Sequence, residues 1–262
     1  MATGSDDFEV EWTDESATLR LTRPAKRNAI TVAILDGLEA CCDALDAGQG
    51  RALIVTGQGD RAFCSGTDLS ESASLGKEGG RAKTERARDL FVRIYRSPWT
   101  SIAALNGLAY GGGLELALAC TFRVAVTGVR LSLPEIKLGV LPAYGGTQFL
   151  PAVVGRARAL DLMMTGRPVT AEEGLALGLV DRVVSDSDSL IPEAEAFSRQ
   201  VLAHSQFALD RLRRCVDAAG ATVTDEGLAV EAEAVIETMD SEDAREGVVA
   251  FLQKRDPVFK HR

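Results

Sequence analysis

The sequence predicts an α/β core with a mainly parallel sheet, followed by a helical C-terminal third. Short apolar strands alternate with helical stretches through the first part of the chain, the order that βαβ units require. Two segments, 62–68 and 106–115, each run from a strand into a glycine-rich turn and on into a helix. From about Asp161 onward the apolar spacing becomes almost wholly helical.

The chain opens as a β-hairpin. Phe8, Val10 and Trp12 alternate with acidic residues, Ala17, Leu19 and Leu21 alternate with polar ones, and Asp14-Glu15-Ser16 supply the turn. An amphipathic helix over roughly 30–45 follows, with Asn28 or Thr31 as its N-cap. Strands are predicted at 52–55, 101–105 and 122–126, and helices between them at 81–96 and 112–119. The stretch from Ser70 to Thr84, SESASLGKEGGRAKT, is polar and glycine-containing and reads as a surface loop. The final third carries helical spacing over 171–177, 187–203, 207–219, 225–239 and 241–254. Strand–turn–helix units recur, although no repeat of fixed period is visible.

Composition narrows the chemistry. A 46% hydrophobic content suffices for a core without disulfide or metal staples. The cysteines at 41, 42, 64, 120 and 215 are odd in number and lack CxxC spacing, which reads as free thiols in a reducing compartment. The start, MATGSDDFEV, has neither the cationic and apolar regions of a signal peptide nor the arginines of a transit peptide, so a cytoplasmic location is expected. The most apolar stretch, 113–126, is broken by Glu115 and Arg123, and no membrane span is expected. A net charge of −9 argues against a general nucleic-acid or membrane surface; an anionic ligand would need a local basic cluster. The two histidines, His204 and His261, lie far from either glycine turn. A Ser–His–Asp or Cys–His mechanism, or a His-ligated metal, is therefore hard to build, and carboxylates and backbone amides are left as the reactive groups.

Gly111-Gly112-Gly113 at a helix start lets backbone approach a ligand and leaves N–H groups pointing outward, suited to an anionic oxygen. With a second such turn around Gly66 an oxyanion hole becomes possible, worth roughly 3 kcal/mol per donor to a transition state. The same glycines serve equally to permit tight turns and close helix–strand packing. Glu115 stands in the apolar run Leu114-Glu115-Leu116-Ala117-Leu118, where burial would raise its pKa toward acid–base use; as a first-turn glutamate it could also simply complement the helix dipole. Glu135 follows a short apolar strand and Pro134, and is either the second member of a carboxylate pair or an exposed loop residue.

Taken together, these segments resemble the crotonase (enoyl-CoA hydratase/isomerase) superfamily from about residue 8 to residue 262. Arg23-Pro24-Ala25-Lys26-Arg27-Asn28-Ala29 looks like that family's CoA-binding turn, and Ala62-Phe63-Cys64-Ser65-Gly66-Thr67-Asp68 like its first oxyanion-hole motif. Asn106-Gly107 through Gly111-Gly112-Gly113 with Glu115 match the second motif. Pro134-Glu135, Gly139, Pro142 and Gly145-Gly146-Thr147-Gln148 match the third. Residues 244–247 and 250–255 resemble its C-terminal helix. Any one motif is weak, whereas five in order at family spacing are strong.

The resemblance implies a crotonase-like core of repeated ββα units wound as a spiral over 1–195, then a helical trimerisation region over 196–262. It implies an oxyanion hole from the backbone N–H groups of Thr67 and Gly112, and a catalytic pair, Glu115 and Glu135, as in members that hydrate 2-enoyl-CoA. Ala25, Lys26 and Arg27 would lie near the CoA phosphates, and the backbone around Cys64, Ser65 and Thr67 near adenine and pantetheine. Phe251 and Lys254 would complete the CoA pocket, often from a neighbouring protomer of a homotrimer or dimer of trimers. No metal and no cofactor beyond the CoA of the substrate is implied. The chain departs from the hydratase pattern at Ala143, Tyr144 and Phe149, where glycine after the Leu-Pro step and arginine after the Gly-Gly-Thr-Gln run are usual. An isomerase, a carnitinyl-CoA-type dehydratase, a decarboxylase or a CoA-binding protein without turnover are the other readings.

Overall fold

The computed structural model describes residues 3–218, Glu233, Val235, Glu237 and 241–262, the side chains of Thr3, Phe251 and Leu252 excepted. It divides into two compact units, Met1–Ser198 and Arg199–Arg262.

The first unit holds two sheets. β1 (Thr3–Ser5), β2 (Phe8–Trp12) and β3 (Ser16–Leu21) form an antiparallel meander, continued in parallel by β4 (Ala52–Gly57), β6 (Thr100–Leu105), β8 (Phe122–Val126) and β11 (Arg182–Val184). The smaller sheet runs β10 (Val169–Thr170), β9 (Arg130–Ser132), β7 (Leu108–Tyr110), β5 (Ala62–Cys64), with β5, β7 and β9 parallel. The repeat behind this is a strand pair and a helix. β4–β5, β6–β7 and β8–β9 each place their first strand in the large sheet and their second in the small one, so every unit advances both ladders by one strand. This is the crotonase-like spiral that the motifs implied.

β4 and β6 are buried along their whole length, as parallel strands covered on both faces must be. Their alternating side chains feed two cores. Leu53, Val55, Ala103 and Leu105 face the main core with α1 (Val32–Asp46). Ile54, Ile102 and Ala104 face a second cluster with Leu190 and Ala194 of α8 (Leu190–Leu202). Thr31 is the N-cap of α1, its hydroxyl accepting the N–H of Ile34. Asn28 is not the cap. It sits at φ 54, fully buried, where Oδ1 accepts the N–H of Arg23 and Nδ2 donates to the carbonyls of Gln58 and Ala62.

The stretch 70–84, expected as a loop, is helical. α2 (Leu69–Ser74) is capped by Asp68, whose Oδ1 accepts from Ser70 and Glu71. α3 (Gly76–Tyr95) begins after a break that Gly76 permits at φ 68. Lys83, Ala87, Leu90, Phe91 and Ile94 are its buried positions, so a lysine occupies the first place of the apolar stripe and hides it from a hydropathy reading. Elsewhere α4 (Gly112–Ala119), α5 (Gly146–Val154), α6 (Arg156–Thr165) and α7 (Ala171–Leu177) complete the unit. β10 and β11 lie between the expected helices of the almost wholly helical region; strands of two and three residues are too short for periodicity to register.

In the second unit α9 (Gln206–Ala218) and α10 (Glu242–Gln253) are joined through Asp243, which accepts from the Ser205 hydroxyl and the Lys260 N–H. The helix expected over 225–239 lies outside the described residues apart from Glu233, Val235 and Glu237. No helix among the described residues is long and apolar enough to cross a membrane.

α4 rests on β5 so closely that a Cβ built on Gly113 would overlap the carbonyl of Cys64. Gly113→Ala is therefore expected to destabilise the protein by about 1–3 kcal/mol. Urea unfolding should show a lower midpoint with an unchanged slope.

Candidate active site

Three successive repeats leave the small sheet side by side. Beyond β5 the chain turns through Ser65-Gly66-Thr67-Asp68 into α2; beyond β7 it turns at Gly111 into α4; beyond β9 it passes Leu133 and Pro134 into a 3-10 turn, Glu135–Leu138. The carboxyl ends of adjacent parallel strands are where open α/β sheets place ligand sites. Here the turns touch. Gly111 has φ 54 and ψ −129, a conformation closed to other residues, and a Cβ on it would lie 2.9 Å from Oε1 of Glu135. A Cβ on Gly66 would lie 3.1 Å from the carbonyl of Tyr110 and 3.4 Å from the nitrogen of Gly112.

Thr67 pairs with Ile30 in an isolated parallel bridge. The Ile30 N–H donates to Gly66 (2.8 Å), and the Asp68 N–H donates to Ile30 (2.9 Å). A residue straddled in this way has its own N–H directed to the opposite side. Gly112 is the first residue of α4, with an N–H that no helical carbonyl reaches. Hydrogen bonds among the described residues use neither N–H. Two donors with the helix dipole behind one of them make a fitting receptor for an oxygen that gains negative charge.

Glu115 projects from the first turn of α4 and is 2% exposed. Its Oε1 accepts the N–H groups of Tyr144 and Gly146, both at 2.8 Å, at the start of α5. Burial outweighs these bonds and pushes its pKa up to about 7, with the Glu135 charge adding to the rise. Glu135 is half-buried, and burial raises its pKa too. Its Oε2 is buried without a hydrogen-bond partner among the described residues. One carboxyl is thus held in a fixed direction near neutrality, and the other keeps an unclaimed oxygen.

Lys26 and Arg27 stand exposed on the turn after β3, and the Ser65 N–H donates to the carbonyl of Arg27 (3.0 Å). The structure so brings Ala25, Lys26 and Arg27 beside Cys64 and Ser65. The Cys64 thiol is fully buried and burial pushes its pKa up to about 12, which leaves only its backbone for a ligand. Phe251 and Lys254 belong to the second unit, on and just beyond α10, and are not part of the unit that carries the glutamates.

The three departures have distinct fates. Ala143 is exposed. Tyr144 is buried, with its ring 2.8 Å from where a Cβ on Gly112 would be and edge-on to Phe91 at 5.6 Å. Phe149 is buried and stacks on Tyr95 at 5.0 Å. The amides of Tyr144 and Gly146 as holders of Glu115 escaped the sequence reading. The available signal was Gly145-Gly146 ahead of a helix, the same anion-accepting feature read at Gly111–Gly113.

A family profile described as enoyl-CoA hydratase/isomerase matches residues 13–262. A probable enoyl-CoA hydratase of Bacillus subtilis (strain 168) is 40% identical over 235 residues, 89% of this chain and 91% of the relative. A crotonyl-CoA hydratase of Syntrophomonas wolfei is 33% identical over 97% of this chain and 98% of its own. The crystal structure of an enoyl-CoA hydratase from Bacillus anthracis superposes with a TM-score of 0.92 at 32% identity, covering 98% of this chain and all of that one.

The position of Glu115 has a consequence for stability. A carboxyl whose folded pKa lies above its unfolded value stabilises the fold while protonated. That contribution is complete below the unfolded value of 4.5 and is lost as pH rises through about 7. Urea unfolding across this range should show stability falling by up to about 3 kcal/mol from this group. Glu115→Gln, which keeps an acceptor for both N–H bonds and carries no charge, should lose that part of the slope.

Proposed function

Because the chain belongs to the enoyl-CoA hydratase/isomerase family of the crotonase superfamily, we propose that it is an enoyl-CoA hydratase, adding water syn across the double bond of a 2-enoyl-CoA. The observation that carries this is the pairing of two raised-pKa carboxyls, Glu115 and Glu135, beside the two outward N–H groups of Thr67 and Gly112.

The thioester carbonyl oxygen binds the N–H groups of Thr67 and Gly112. As electron density moves onto this oxygen, the β-carbon becomes electrophilic and the transition state turns enolate-like, which is what the two donors stabilise beyond the ground state. Glu115, aimed by the amides of Tyr144 and Gly146, takes a proton from water while the water oxygen bonds to the β-carbon. Glu135, protonated at the start, gives its proton to the α-carbon. The two carboxyls have then exchanged protonation states, and dehydration runs the same steps backward. The pKa of about 7 at Glu115 suits a group that must both take and return a proton near neutral pH.

In this reading the exposed Lys26 and Arg27, with Ala25, neutralise CoA phosphates on a chain of net charge −9; the Ser65 N–H bond to the Arg27 carbonyl, which keeps the Cys64-Ser65 backbone beside them, supports it. In the same reading Phe251 and Lys254 close the CoA pocket, the helical C-terminal unit joins protomers as a homotrimer or dimer of trimers, and no cofactor is needed beyond the CoA of the substrate. Light scattering on the purified chain should then give three or six times its mass; a monomer would remove the oligomer from the reading.

With crotonyl-CoA, the ultraviolet absorbance of the conjugated thioester should fall rapidly in the presence of the protein. Glu115→Gln and Glu135→Gln should each lower kcat by about 10²–10⁴-fold with KM little changed. Absence of turnover in the wild type would overturn the hydratase assignment, and conversion of a 3-enoyl-CoA instead would move it to an isomerase. Binding of CoA without any turnover would leave a non-catalytic CoA protein.

A further inference from the structure

Among the described residues of the first unit, Lys83 of α3 is a buried cation that takes no part in the reaction above. Its side chain is 1% exposed. Its ammonium donates to the carbonyl of Ile30 at 2.9 Å and to the Ser72 hydroxyl at 3.3 Å, and pairs with Oε2 of Glu71 at 2.7 Å. An ammonium has three protons, and here each has an acceptor. The Glu71 carboxylate in turn accepts the N–H of Val32, the first of α1, at 3.2 Å. The Ser72 hydroxyl lies 3.4 Å from the Thr67 hydroxyl. The whole cluster converges on Ile30–Val32 and on Thr67.

Ile30 is the residue that holds both peptide groups flanking Thr67. Its N–H holds the carbonyl of Gly66, and its carbonyl holds the N–H of Asp68. That same carbonyl is the one Lys83 grips. Packing alone does not call for a charge here. Apolar side chains of like volume in place of the whole Lys83–Glu71 pair would fill the space without desolvating charges, and such whole-pair replacements are often neutral or stabilising. What an apolar residue cannot supply is a directed bond on the Ile30 carbonyl.

We propose that Lys83 is a positioning residue for the oxyanion hole: by fixing the Ile30 carbonyl, with Glu71 and Ser72 fixing Lys83, it sets the orientation of the Thr67 N–H. The proposal rests on the assignment of that N–H as a thioester donor. The bridge between Ile30 and Thr67 is a single one, outside both sheets, so no neighbouring strand holds it in register. Lys83 takes the place of that missing neighbour.

The test uses the full chain with Lys83→Met, Lys83→Arg and Glu115→Gln, and cinnamoyl-CoA as a probe whose absorbance moves to the red when its thioester carbonyl is polarised. Lys83→Met should fold with a lowered urea midpoint, because it takes one partner from the ion pair, and the loss is limited because Glu71, a quarter exposed, can be hydrated once unpaired. Its kcat for crotonyl-CoA should fall by about 10–100-fold, less than for outright loss of a donor. KM should stay within about threefold, because a misaimed N–H costs mainly the transition state. The red shift of bound cinnamoyl-CoA should shrink in Lys83→Met and persist in Glu115→Gln. Wild-type kcat and red shift in Lys83→Met would overturn the proposal. So would a loss of stability and binding with the red shift intact, which marks a merely structural lysine. Should Lys83→Met not fold, Lys83→Arg, which keeps the charge and displaces the donors, decides by the same shift. A wild type that shifts cinnamoyl-CoA but does not hydrate crotonyl-CoA refutes the hydratase reading and leaves Lys83 to be judged on the shift. A wild type that shows no shift overturns the role of Lys83 itself.

Discussion

The structure around the candidate site depends on one constraint: backbone must meet backbone at the carboxyl ends of β5, β7 and β9. Gly66 lies against the Tyr110 carbonyl and the Gly112 nitrogen, Gly113 against the carbonyl of Cys64, and Gly111 against the Glu135 carboxylate. A methyl group at any of these points would push apart turns whose value lies in their contact. From that closeness the rest follows. Two amide groups from different repeats come to one place, α4 begins there with its unpaired N–H, and the first-turn glutamate is carried into the interior.

Two carboxyls in a half-dry pocket would destabilise the fold if both were charged. The molecule meets this unevenly. Glu115 receives two amide donors, which lower the cost of its charge without cancelling the effect of burial, and its pKa settles at about 7. Glu135 receives no side-chain or distant backbone donor at Oε2, and burial favours its protonated form. The two carboxyls therefore differ in how they are held: amides fix the direction of one, and the other keeps an oxygen that no donor among the described residues claims. The Lys83–Glu71 pair beside Thr67 is a contrasting case, where every proton of a buried ammonium has an acceptor.

What was legible in the sequence was what only one residue type can do. The run Gly111-Gly112-Gly113 announced a close backbone approach because no other residue tolerates it, and Glu115 among leucines and alanine announced burial. Strands such as β4 were plain because Ala52–Val55 are all apolar. The segment 70–84 was not legible, since α2 owes its start to one capping aspartate and α3 begins its buried stripe with a lysine. Asn28 as a staple between two loops, and Tyr144 as a donor through its amide, were hidden for another reason. Their contribution is made by partners 29 to 34 residues away, and local spacing carries no trace of such contacts. The close backbone turns were therefore readable before their supports were.

The stepwise winding of the spiral also has a bearing on how the protein is made. Each repeat lays one strand on each sheet beside the strand before it, so a chain emerging from the ribosome can build the ladders in order from its N-terminal end. The reactive centre cannot be assembled so gradually. Thr67 and Gly112 come early, Glu135 later, and the amides that hold Glu115 belong to Tyr144 and Gly146. Until that last segment has emerged, a carboxylate set among leucines has no donors to quiet it, and the growing edges of β8 and β9 stand open. The exposed strand edges of the half-made molecule mark the stage of synthesis at which chaperones have the most to protect.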